Sequence, residues 1–132
     1  MKQKTQSTHE KLLTESELEL MQILWKLSEG SVADVIESIS ETPKPAYTTV
    51  STLLRILEQK KIVTTRKEGR GHIYIPIVTR EQYEGTAVRQ VVNRVFEGTP
   101  VALVKQLLNS GDLNSKEMEE IRALIEKAGS QK

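Results

Sequence analysis

Cysteine is absent from this 132-residue chain, which excludes a disulfide framework, a thiolate metal site and a cysteine nucleophile. Such a chain is compatible with a reducing compartment. No run of about 18 apolar residues occurs, the length a helix needs to cross a bilayer, so membrane insertion is not expected. The polar stretch Met1 to Glu10 lacks the apolar segment of a secretory signal, and the expected location is the cytoplasm. Catalytic motifs are missing too. The two histidines, His9 and His72, form no motif with carboxylates, and HExxH, the P-loop and GxSxG do not occur. No enzyme, metal or cofactor is expected, and His72 reads as a strand residue beside a turn.

A strong charge of either sign is also lacking, since the net charge is only +1. Its distribution is uneven. Residues 1–43 hold four Lys against eight Asp/Glu, residues 44–72 hold seven Lys/Arg against two Glu, and residues 73–132 are balanced. A local basic patch on an otherwise neutral chain is the electrostatic footprint that DNA binding requires.

The central stretch is YTTVSTLLRILEQKK, Tyr47 to Lys61. On a helix, Val50, Leu53, Leu54 and Leu57 recur at i, i+3, i+4 and i+7 and form one apolar stripe. Thr48, Ser51, Thr52 and Arg55 repeat at the same spacing on the opposite face. Short hydroxyl side chains let a backbone approach a DNA major groove, and Arg can contact guanine in bidentate fashion. An ordinary solvated helix face is the competing reading.

Before it, residues 1–11 offer nothing to bury and read as a frayed tail. Thr14 with Glu17 makes a capping box for a first helix, about Glu15 to Leu27, which stops where Gly30 permits a left-handed turn. Trp25 reads as a core aromatic. Ser31 caps a second helix bearing Val32, Val35, Ile36 and Ile39, which must end before Pro43 and Pro45. After Lys61 the pattern turns β-branched: Ile62 to Glu68 and His72 to Val78 flank Gly69-Arg70-Gly71 and read as a hairpin with a basic tip at Arg66, Lys67 and Arg70.

Three helices and a basic hairpin describe a winged helix over residues 12–78. The expected fold class is mainly α with a small β-hairpin wing, a winged helix-turn-helix followed by dimerisation helices. Residues 79–132 read as three further helices, begun by Thr79 with Gln82, by Thr99-Pro100 and by Asn114 with Glu117. Their apolar residues include Val88, Val92, Val95 and Phe96, then Val104, Leu107 and Leu108, then Ile121, Leu124 and Ile125. Such a thin core leaves apolar surface that an isologous homodimer would cover. Packing back on the winged helix in a monomer is the alternative.

LTESELELMQILWK, SVADVIESIS, YTTVSTLLRILEQKKIV, GRGHIYIPIVTREQY and LNSKEMEEIRALIEK together resemble the penicillinase-repressor (BlaI/MecI) family of bacterial transcription factors, over about Leu12 to Lys127. The resemblance implies a homodimeric repressor that reads an inverted-repeat, double-stranded DNA operator. Carried over by position, the recognition-helix contacts fall on Thr48, Thr49, Ser51 and Thr52, with Arg55 on the same face. The wing contacts fall near Arg66, Lys67 and Arg70. Lys60 and Lys61 join these in general phosphate attraction. A membrane sensor protease is a further partner by family analogy. In members so controlled, cleavage falls at an Asn-Phe bond, matched here by Gln106-Leu107. Some members carry arginine at the position of Ser51. The copper-responsive relatives have a terminal cysteine cluster, and its absence excludes copper sensing through thiolates. A winged-helix module that docks an acidic protein without reading DNA sequence is the alternative function.

Overall fold

The computed structural model describes residues 12–130, so the expected tail at residues 1–11, with His9, lies outside the described residues. Helix α1, Glu15–Leu27, begins as the capping box requires: Glu17 N–H donates to Thr14 Oγ1 at 3.2 Å and Thr14 N–H donates to Glu17 Oε1 at 2.9 Å. Its stop is one feature that the chain achieves differently from expectation. The left-handed residue is Ser28, with φ of 79°, and not Gly30. Gly30 serves a close approach: it exchanges backbone hydrogen bonds with Tyr74, and a Cβ there would sit 3.3 Å from Asp34 Cβ.

Helix α2, Val32–Ser38, opens with a second reciprocal box between Ser31 and Asp34. It ends well short of the prolines. Ser38 Oγ donates to the Asp34 carbonyl, and Ile39 is already extended, so the last apolar residue of the expected stripe is buried from outside the helix. Helix α3 is Tyr47–Gln59, with Val50, Leu54 and Leu57 buried beneath it. Lys60 caps its end and Lys61, at φ of 64°, turns the chain into the hairpin.

Strands β1, Val63–Glu68, and β2, Gly71–Pro76, pair antiparallel with Glu68 opposite Gly71, so the turn has two central residues, Gly69 and Arg70. Gly69 adopts φ of 60°, which a glycine tolerates at the first position of such a turn. β1 starts one residue later than expected and ends as expected, while β2 starts one residue earlier and ends two residues sooner. The register decides which side chains share a face, because successive residues alternate. Thr65, Lys67, His72 and Tyr74 lie on one face, and Arg66 and Ile73 lie on the other.

Helix α4, Arg80–Val95, starts with a reciprocal pair between Thr79 and Gln82. The chain divides into two compact units after Ala87, inside this helix rather than at residue 78. The reason is Tyr83, which is buried in the first core, accepts from Leu13 N–H at 3.0 Å and packs 6.1 Å from the Trp25 ring. Trp25 itself is half-buried; its indole N–H donates to the Val78 carbonyl at 2.9 Å, and the Arg80 guanidinium lies over its ring at 5.1 Å. The second unit contains the rest of α4, α5 at Pro100–Asn109 and α6 at Ser115–Ser130. Asn114 and Glu117 cap α6 reciprocally, whereas Thr99 makes no side-chain cap to α5.

Candidate nucleic-acid interface

The surface of α3 that faces away from the core is not a single stripe. Thr48, Thr49 and Thr52 are exposed and stand clear of the hairpin groove, while Tyr47, Ser51, Arg55 and Glu58, spaced four, four and three apart, line it. That groove has a volume of about 340 Å³ and runs between α3, the start of α2 and the hairpin. Thr65, Arg70, His72 and Tyr74 form its far wall. Thr65 Oγ1 donates to Glu58 Oε2 at 3.1 Å and ties the two walls together. Burial pushes the Tyr74 hydroxyl above its ordinary range, with Glu58 adding to the rise and Arg55 opposing it. The start of α3 lacks a side-chain cap at Ala46, in contrast to α1 and α2, and the Thr49 N–H donates instead to the Ala46 carbonyl at 3.1 Å.

The basic residues expected to serve DNA divide into paired and unpaired groups. Lys60 is tied inward: its ammonium lies 2.9 Å from both carboxylate oxygens of Glu17, which is 3% exposed. Burial alone would raise the Glu17 pKa, but the Lys60 and Thr14 hydrogen bonds outweigh it and hold the carboxyl below its usual range. A cation so engaged holds α1 to the end of α3 and would have to leave Glu17 to meet a phosphate.

Arg66 is also engaged, on the hairpin face opposite the groove. It meets Glu29 with two hydrogen bonds of 3.1 and 3.0 Å and Glu68 with one of 3.0 Å. The Glu29 bonds, then the Glu68 bond, raise the Arg66 pKa further, and Arg66 in turn lowers that of Glu29. Lys67 and Arg70 make no ion pair among the described residues, and Lys67 pairs across the ladder with His72. Lys61 is exposed at the far end of α3 from Thr48. Tyr47 and His72 were missed as groove residues. Tyr47 was legible from its spacing to Ser51 and Arg55, and His72 only once a two-residue turn fixed the register.

A family model described as "Penicillinase repressor" matches residues 13–127. The chain belongs to the penicillinase repressor family. That family is one of repressors and not of enzymes. Among its relatives, the penicillinase repressor of Bacillus licheniformis is 28% identical over 91% of this chain and 94% of its own length. The methicillin resistance regulatory protein MecI of Staphylococcus aureus is 25% identical over 87% and 94%. A solution structure of monomeric B. licheniformis BlaI with the blaP half-operator is 32% identical over 55% of this chain and 89% of that one, with a TM-score of 0.46. Among the described residues, no helix is long and apolar enough to cross a membrane, and no group of His, Cys, Asp and Glu could hold a metal ion.

Proposed function

We propose that this chain is a DNA-binding transcriptional repressor that acts as a homodimer on an inverted-repeat operator. The observation that carries the reading is the juxtaposition of exposed Thr48, Thr49 and Thr52 on α3 with the unpaired cations Lys67 and Arg70 on the hairpin beside it. Hydroxyls on a helix suit base edges and phosphates in a major groove, and a hairpin cation suits the neighbouring backbone. Membership in a repressor family supports the same assignment. Arg66 contributes to DNA only by exchanging Glu29 and Glu68 for phosphate, and Lys61 adds long-range attraction.

The proposed dimer rests on the second unit. Neither α5 nor α6 has a buried residue, and Val104, Leu107, Leu108, Leu124 and Ile125 are all exposed. Ile121 and Phe96 are half-buried, and Val88 and Val95 are exposed on α4. Val92 differs from these: it is already covered within the chain, at 7% exposure, so it adds little to a surface for a second copy. A sensor protease remains the partner that family resemblance implies. Gln106-Leu107 lies within helix α5, and chain cutting favours exposed loops, so cleavage there would require α5 to open.

Selection of bound duplexes from a randomised pool by the full chain, at about 150 mM salt, tests the reading. The expected result is an enriched inverted repeat with half-sites about 10 base pairs apart. Recovery of no sequence above salt-sensitive background would overturn it and leave a protein-docking module.

A further inference from the structure

We propose that the groove between α3 and the hairpin is a seat for one phosphate group, with the Arg55 and Arg70 guanidinium groups as its walls and the Ser51 hydroxyl as a neutral donor. His72 lines the same groove. The proposal rests on the DNA-binding reading for its natural source of phosphate, the duplex backbone. A free phosphate monoester has the same chemistry and would compete with DNA for the seat.

Four observations converge on this groove. It is a concavity of about 340 Å³ at the junction of the two elements that a duplex would have to touch. Arg55 and Arg70 line it without a carboxylate partner among the described residues, whereas nearby Lys60 and Arg66 are both ion-paired. Two guanidinium groups free to offer their planar pairs of donors are suited to an oxyanion. Ser51 is half-buried in the same wall, and its hydroxyl makes no side-chain hydrogen bond among the described residues. The strand register places Lys67 directly opposite the groove-lining His72, on the same face of the hairpin.

Cations outnumber carboxylates in the groove lining, two to one. From α3 come Arg55, Glu58 and Tyr47; from the hairpin come Arg70 and Tyr74; the start of α2 contributes only uncharged residues to the lining. Glu58 is the one carboxylate in the lining, and the Thr65 hydroxyl already donates to it.

The test uses the full chain and a duplex recovered by selection, with single backbone phosphates replaced by neutral methylphosphonates. One position per half-site should weaken wild-type binding roughly tenfold, the scale of one charge-assisted contact. Arg70→Gln should lose a similar factor and become indifferent to that replacement. Duplex binding in which no methylphosphonate position couples to Arg70→Gln overturns the seat and leaves the repressor reading standing. If the chain binds no duplex at all, the repressor reading falls, and inorganic phosphate then decides the seat. A saturable shift of the His72 imidazole resonances that is lost in Arg55→Gln supports a site for free phosphate; no shift overturns it. Displacement of duplex by inorganic phosphate from wild type but not from Arg70→Gln identifies the shared groove as the point of competition.

Discussion

Between Leu20 and Tyr83, fourteen buried apolar residues close a single core, whereas no residue of α5 or α6 is buried and Leu124 and Ile125 are 65% and 64% exposed. Both regions carry the same kind of stripe, apolar residues at three- and four-residue spacing. The stripe predicts that a helix has a face to cover and is silent on what covers it. In the first unit four kinds of contact converge on that face: α1, α2, the hairpin and the start of α4. In the second, the described chain supplies too few partners.

The sole tryptophan, Trp25, lies in the first unit, so its fluorescence separates the two regions during unfolding of the full chain. The largest expected effect follows from emptying that unit's core. Leu54 is fully buried, and Leu54→Ala should destabilise the fluorescence-detected transition by about 2 to 5 kcal/mol. A loss below about 1 kcal/mol would mean that the core relaxes around the cavity, and the contrast with the second unit would then be one of degree.

Next in size is the tie between α1 and α3. Lys60→Ala strands the carboxylate of Glu17 and should cost about 1 to 3 kcal/mol in the same transition. The pH dependence has a definite sign. The Glu17 pKa is depressed in the folded chain, so its contribution is present above the ordinary carboxylate range and fades as pH falls through that range and below it. Glu17→Gln should therefore reduce stability at pH 7 more than at pH 3. Equal losses at both values would assign the effect to the Thr14 cap rather than to the ion pair.

Four helices were legible because each begins with a reciprocal side-chain pair, Thr14 with Glu17, Ser31 with Asp34, Thr79 with Gln82 and Asn114 with Glu117, and the hairpin was legible from the glycine at its tip. The outward threonines of α3 were legible for the same reason, since helical spacing alone sets a face. What escaped was non-local. Glu17 was read as a cap, and its second role with Lys60 needs a contact 43 residues away in sequence. Arg66, Lys67 and Arg70 were read as one basic tip, but pleating sends Arg66 to the opposite face, where Glu29 meets it, 37 residues apart in sequence. The unit boundary was missed because Tyr83 belongs to the first core although its helix continues into the second unit.

A smaller effect is expected where Glu29 competes with DNA for Arg66. Both side chains are about half exposed, so Glu29→Gln should leave the Trp25 transition unmoved. It should instead strengthen binding to a random-sequence duplex a few-fold at low salt, with the gain disappearing as salt screens the charge. Filter binding across a salt series measures this. Unchanged affinity at low salt would show that Arg66 takes no part in DNA contact.

The smallest effect on the first unit is expected from Leu124→Asp, and that is what makes it the sharpest comparison. Leu124 lies on α6, far from full burial, so a charge there meets water in the single chain and should not disturb the Trp25 transition. In a dimer that buries this face, the same charge would be desolvated without a partner, and sedimentation should report a monomer. Val92→Asp would not separate these effects, because Val92 is already covered and its substitution would disturb the fold and the assembly together. A Leu124→Asp chain that still sediments as a dimer would place the interface away from α6. A fall in the Trp25 transition would mean instead that α6 takes part in stabilising the winged helix, and the apolar faces of the second unit would have their cover within one chain.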